Sequence, residues 1–295
     1  LALISAVPTL PAVPSSFSWP RRLLDAVLYS SVWLAGAAAA QTAYTLHLWP
    51  PLDAAGYRLV ALVFAATLLV YNLDAALPFK HRQPAGTSGR KAWQQRHRRG
   101  LALLAAGAAL AAGVLFLVDG WWRYLPKLLP LAALALLYSW PLVRWRGQRR
   151  ALREVPLLKV FLIAGVWSLV TVGLPALLLH HPLGVVAGLL AQRFCLVLAL
   201  AIVFDIRDLS RDRAAGTRTF PVVLGQGRAK AVALAFLAAA MALGFERGVP
   251  PLGLLVTGLC AASVVVLADE RRSDYFFALL ADGVLLVPAA LYFLG

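Results

Sequence analysis

The stretch Asp205-Ile206-Arg207-Asp208-Leu209-Ser210-Arg211-Asp212 closes an apolar run that begins near Gly184. Three carboxylates therefore emerge where a membrane helix leaves the bilayer. Their i, i+3, i+7 spacing sets them on one face of a continuing helix. Like charges that close repel one another. A divalent cation among them removes the repulsion, and Mg²⁺ takes carboxylate oxygens together with substrate phosphates. A plainer reading stands beside this one: Arg207 and Arg211 neutralise the acids as solvated ion pairs. Ionisable groups at membrane depth are costly and usually functional, which favours a metal–diphosphate site at the membrane surface.

Working outward, the chain has 295 residues, 61% hydrophobic and 14% charged. That is too apolar for a soluble domain of this size. Stretches long enough to span recur at 23–46, 56–77, 100–118, 122–139, 156–179, 183–205, 227–246, 250–268 and 274–294. Backbone groups in hydrocarbon must be satisfied within a helix, and these runs lack a barrel's alternation. The expected fold is an all-α integral membrane protein of about nine transmembrane helices. Residues 22–295 form a single polytopic domain, with halves at 22–139 and 156–268 plus a last helix at 274–294. Residues 1–21 read as a loose lead-in, because their charges follow the apolar part, unlike a signal peptide.

The net charge of +15 is sorted by side. Arg21, Arg22, the basic runs at 80–99, 144–159 and 207–230, and Arg271 and Arg272 all fall on one side. Arg58, Arg123, Lys127 and Arg247 fall on the other. This positive-inside pattern puts the N-terminus and the polar loops in the cytoplasm and the C-terminus outside, across a plasma or inner membrane. Nucleic-acid binding needs a basic face with base-reading or stacking elements, and the sequence has none. Cys195 and Cys260 lie in apolar spans and read as small hydrophobes. No zinc spacing, P-loop or dinucleotide fingerprint is present.

Beyond Asp212 the chain carries Gly216, Thr219, Pro221 and Gly225. Residues 205–225 thus resemble the second signature of the UbiA superfamily of intramembrane prenyltransferases. That signature is Asp-x-x-Asp-x-x-x-Asp followed by Gly-x-x-Thr-x-Pro-x-x-x-Gly. The resemblance implies two four-helix bundles and a ninth helix around a central cavity, capped by cytoplasmic loops. It implies Mg²⁺-dependent transfer of a polyprenyl group from its diphosphate to an aromatic or lipid acceptor in the bilayer. Asp205, Asp208 and Asp212 are the implied metal ligands. The family's first motif, Asn-Asp-x-x-Asp-x-x-x-Asp, is reduced here. Aligned on Asn72, its acids become Leu73, Ala76 and Lys80, with Asp74 as a remnant. Arg82-Gln83-Pro84 resembles the element downstream of that motif. Tyr138-Ser139-Trp140-Pro141 is similar to the family's Tyr-Ser-x-Pro element, whose Tyr and a following Lys reach the diphosphate. Leu142 stands where that Lys is often found, so Arg144 or Lys159 is the replacement. The implied catalytic set is Asp205, Asp208, Asp212, Asn72 and Asp74, with Arg82, Tyr138, Lys159 and Arg218 on the diphosphate. The reduced first motif also supports a second reading, a non-catalytic relative that binds a prenyl lipid or serves as a partner subunit.

One charge falls inside a span. Arg193 is twelve residues before Asp205, about 18 Å from the cytoplasmic end at 1.5 Å per residue. That is near the middle of a core roughly 30 Å thick, too deep to snorkel, so an internal partner is expected. Asp282, about 12 Å deep by the same rise, is the expected partner. Backbone carbonyls, a water-filled cavity or Gln41 are the alternatives.

The charge sorting has a direct check. Cysteines introduced at Ser88 and Ala214 are expected to resist membrane-impermeant thiol reagents in intact cells, and one near Gly248 to label. Labelling of both motif loops from outside reverses the orientation.

Overall fold

The structure, a computed structural model, describes residues 18–49, 53–77, 89–138, 140, 143–145, 148–152, 155–246 and 249–294. An amphipathic helix α1 (Ser18–Tyr29) bends by 56° into α2 (Val32–His47). The helices α3 (Ala54–Ala76), α4 (Gly89–Arg96), α5 (Arg98–Val118) and α6 (Leu125–Leu137) complete the first half. A short antiparallel hairpin, β1 (Val143–Trp145) and β2 (Gln148–Arg150), joins it to the second. There α7 (Leu158–Ser168) runs through a π-helical turn, Leu169–Gly173, into α8 (Leu174–Leu178). Then follow α9 (Leu183–Arg207), α10 (Leu209–Ala214), α11 (Phe220–Leu224), α12 (Gln226–Glu246) and α13 (Pro251–Leu267). A last span starts with a π-helical stretch, Phe276–Ala281, and ends in α14 (Val287–Leu294).

The all-helical membrane architecture expected from the sequence is what the chain adopts. The count is smaller by length. Among the described residues six helices are long and apolar enough to cross a membrane, or seven if α1 and α2 form one broken span. The expected span at 122–139 is shortened because Gly120 turns left-handed (φ 68°) and Trp121–Tyr124 wind as a 3₁₀ turn before α6 begins. The expected span at 250–268 is the 17-residue α13.

Burial ranks the helices. Of an 18-residue apolar window within Val186–Arg207, 72% is buried, against 17% for that within Arg98–Val118. The helix α9 is therefore the core and α5 the lipid-facing rim. From Leu196 to Val203 every residue of α9 is buried, with no polar stripe, as expected of a helix enclosed on all sides. It is enclosed by α7 and α12. The helix α12 shares a core with it through Ala229, Ala233 and Ala240, small residues that let backbones approach where lipid offers no hydrophobic drive, while Gly244 lies against Leu254 of α13. In the first half α3 packs on α2 and α5, and the last span touches both α2 and α13. At the end away from the motifs, Asp53 caps α3 by accepting from the Gly56 N–H at 2.8 Å, and Arg58 pairs with Asp119 at 2.7 Å.

The Arg193–Asp282 pair is not formed. Arg193 is buried and donates from Nη1 to Thr171 Oγ1 (2.9 Å) and the Gln41 carbonyl (3.4 Å), and from Nη2 to Thr45 Oγ1 (3.3 Å). It faces α2 and the π-helical turn, whose wider ring brings the Thr171 hydroxyl to it. Asp282 instead lies within electrostatic reach of Arg90 and Arg207. Matching depth did not mean a matching face. Residues that share no partner contribute independently to stability. Arg193→Leu and Asp282→Leu are therefore expected to be additive within about 0.5 kcal/mol in a double-mutant cycle of thermal unfolding in detergent. A larger coupling restores the pair.

Candidate active site

The site begins where α9 ends. Asp208 caps α9 and breaks it from α10, and the Asp212 N–H returns to the Asp208 carbonyl at 2.8 Å. Gly216 closes α10 in the left-handed region (φ 68°), where a side chain is disfavoured. Thr219 stands at the N-cap of α11, Pro221 sits in its first turn, and Gly225 ends it at φ 79°. The Gly-Thr-Pro-Gly half of the motif is thus a folding signal. It turns the chain twice in ten residues and returns it as α12 against α9.

This turn buries all three carboxylates. Asp205, 1% exposed, accepts from the Lys159 ammonium at 2.8 Å. Asp208 accepts from Arg207 at 3.2 Å and from Arg211 at 2.6 Å. Asp212 keeps a buried oxygen, Oδ2, with no hydrogen-bond partner. The plainer reading of Arg207 and Arg211 is therefore half right: both pair with Asp208, but Arg207 is half-buried where Arg211 is exposed. The Arg207 guanidinium lies 5.0 Å from the Phe204 ring centre and 5.7 Å from that of Phe277. Burial works against ionisation at Asp208, yet the Arg207 and Arg211 charges outweigh it and hold its carboxyl below the usual value. Burial pushes the Asp212 carboxyl up, with Asp208 and Asp205 adding to the effect.

The remaining predicted residues divide. Asp74 and Tyr138 line one cavity of about 50 Å³, walled by Tyr71, Leu134, Ile163 and Trp167. There the Trp167 indole donates to the Tyr71 hydroxyl at 3.2 Å. Asn72 is buried in α3 and donates from Nδ2 to the Ser30 and Leu68 carbonyls, both at 2.8 Å, leaving Oδ1 without a partner. Its amide thus ties α3 to the bend between α1 and α2. The Arg218 side chain is exposed, and its carbonyl, not its guanidinium, is engaged, accepting from the Leu157 N–H at 2.9 Å. Arg82 lies outside the described residues.

Three groups were missed. Arg90, at the start of α4, is held below the ordinary arginine value by burial and by the like charge of Arg207, against the pull of Asp282. Nothing in the basic run around it marks it out. Tyr71 reads as one more aromatic of a span. A wider cavity of about 370 Å³ is lined by Arg21, Asp25, Tyr29, Trp93, Asp274 and Tyr275 among others, and its Asp274 accepts from the Arg90 N–H at 3.2 Å.

Among the described residues no three carboxylate, imidazole or thiol groups converge to hold one metal ion. Asp205, Asp208 and Asp212 therefore do not form a shared cage. Mg²⁺ needs only one or two carboxylates when phosphate oxygens complete its shell, and the open Asp212 oxygen beside Asp208 meets that need.

No family model matches the sequence. Over 93 residues the chain is 40% identical to digeranylgeranylglyceryl phosphate synthases from two strains of Halobacterium salinarum. The match spans 32% of those relatives' length and 30% of this chain. Its fold is similar to the apo structure of a UbiA homologue from Aeropyrum pernix K1, with a TM-score of 0.57 and 21% identity over 91% of this chain and 97% of that one. It is also similar to a digeranylgeranylglyceryl phosphate synthase structure, with a TM-score of 0.52 and 11% identity over 92% of this chain and 98% of that one. The resemblance seen at 205–225 therefore extends to the fold: the chain has the UbiA-type membrane fold.

The two outer acids should respond oppositely to neutralisation. A carboxyl held low in the fold adds stability above its unfolded pKa and loses it as pH falls through the folded value; one pushed up does the reverse. Without metal, Asp208→Asn is expected to cost about 1–2 kcal/mol by thermal unfolding at pH 7. Asp212→Asn should leave the melting temperature unchanged or raise it. A loss at Asp212 as large as at Asp208 contradicts the electrostatics.

Proposed function

We propose that this UbiA-type chain is a membrane prenyltransferase, which moves a polyprenyl group from its diphosphate to an acceptor held in or at the bilayer. What carries the reading is the complete second motif, folded so that three carboxylates end the most buried helix beside Lys159, Arg207 and Arg211. Breaking an allylic C–O bond leaves negative charge on the diphosphate, and fixed cations aimed at that charge lower the barrier. Asp212 and Asp208 would hold Mg²⁺. Bound there, the ion supplies Lewis-acid pull on the phosphate oxygens. Lys159, Arg207 and Arg90 supply positive charge from the chain itself.

The cavity walled by Tyr71, Tyr138 and Trp167 suits the other half of the chemistry. Its aromatic faces stabilise an allylic cation, and its apolar walls keep water from quenching it. Asp74 in the same cavity is the candidate base for the acceptor's proton. The wider polar cavity reaches the charged network through Asp274 and is the candidate seat of the acceptor's polar end. The acceptor is an aromatic ring or a lipid hydroxyl. The lysine- and arginine-rich loops, and with them the site, face the cytoplasm in this reading.

A second reading has an observation of its own. The Asn72 NH₂ is spent on backbone carbonyls as a tie between helices, and the acids that would accompany it at Leu73, Ala76 and Lys80 are absent. The chain would then bind a prenyl lipid without transforming it. One experiment separates the two. Purified chain is mixed with Mg²⁺ and prenyl diphosphates of several lengths, and pyrophosphate release and thermal stabilisation are both recorded. Release that falls about 10²-fold in Asp212→Asn is expected for the enzyme. Stabilisation with no release at any length supports the binding protein instead.

A further inference from the structure

The charges around the second motif balance without any metal. Lys159 meets Asp205 at 2.8 Å, and Arg207 and Arg211 both meet Asp208, at 3.2 and 2.6 Å, so three cations stand against the three carboxylates. A cluster that two divalent ions are to neutralise should instead carry excess negative charge. Here the first motif contributes no acids at Leu73, Ala76 and Lys80, and the second is already balanced.

Lys159 is held in place against its own helix. It is the second residue of α7. An ammonium in the first turn meets the positive end of the helix dipole, which disfavours it. The residue before that helix, Leu157, has φ 59°, a left-handed conformation that a bulky side chain disfavours. Its N–H is fixed on the Arg218 carbonyl, inside the turn of the second motif. The motif's own turn thus anchors the residue that aims Lys159 at Asp205. The Lys159 charge also lies within electrostatic reach of Asp208 and Asp212. Among the described residues, Asp212 is the one acid that keeps a buried carboxylate oxygen with no partner.

We infer that Lys159 is a built-in cation of this cluster, filling the place of one divalent ion, so that the site takes a single divalent ion anchored at Asp212. The single-ion stoichiometry rests on the proposed function only in that a diphosphate would complete the ion's shell. Removing the ammonium frees a second cation place at Asp205.

Mn²⁺ binding to the purified full-length chain tests this without turnover. Bound ions are counted by electron paramagnetic resonance, first with Mn²⁺ alone and then with an unreactive thiolo analogue of geranylgeranyl diphosphate. The wild type is expected to bind one ion per chain, Lys159→Met one more, and Lys159→Arg the wild-type number. Two ions in the wild type, or equal counts in wild type and Lys159→Met, overturn the inference. If Lys159→Met is too unstable to count, Mn²⁺ should raise its melting temperature more than that of the wild type; an equal rise is also fatal. The analogue separates the two levels. A chain that never binds it loses the prenyl diphosphate reading, while the titration with Mn²⁺ alone still judges Lys159.

Discussion

The structure depends on how its most buried helix ends. A helix enclosed on all sides cannot carry polar residues along its length without partners, and α9 carries few. Its acids are held back to the last turn, where Asp205 is as buried as the apolar residues before it. A carboxylate so placed requires a cation, because an isolated ion in a low-dielectric interior costs several kcal/mol. Lys159 reaches it from α7 and thereby fixes how α7 docks on α9. The turn following the acids then packs α12 on the opposite side. Core packing and site geometry are therefore one arrangement: loosening the Lys159–Asp205 contact would disturb both.

A second consequence is that the cationic side of the site is distributed. Arg207 comes from the end of α9, Arg90 from a helix in the first half, and Lys159 from the start of α7. Like charges so close repel unless something anionic lies among them. Asp208, Asp274 and Asp282 provide part of that charge. The two ring faces of Phe204 and Phe277 hold Arg207 without neutralising it. Arg207 is thus oriented by two rings while it remains paired with Asp208.

Much of this was legible in the sequence. The length of the apolar runs marked the chain as a helical membrane protein, and the spacing of Asp205, Asp208, Asp212, Gly216, Thr219, Pro221 and Gly225 pointed to the UbiA-type fold. What stayed hidden depends on rotation about helix axes and on contacts between distant segments. Depth along a helix can be counted from sequence, which is why Arg193 and Asp282 looked matched. The direction each faces cannot, and a π-helical turn shifts it further. Arg218 stood out in the sequence only for its side chain, and its carbonyl's hold on the Leu157 N–H could not be read there. Arg90 was invisible because one arginine in a basic loop carries no sign that it will fold inward.

The π-helical turn Leu169–Gly173 holds one residue more than the surrounding helix needs. It leaves the segments on either side rotated by about 100° from where a continuous helix would put them. A single-codon deletion at this point would restore an unbroken helix and keep the span apolar. It would also rotate the Thr171 hydroxyl away from Arg193, leaving the guanidinium short of an acceptor in the middle of the membrane. The reading frame of the span, not its hydropathy, is what keeps the Thr171 hydroxyl on that charge.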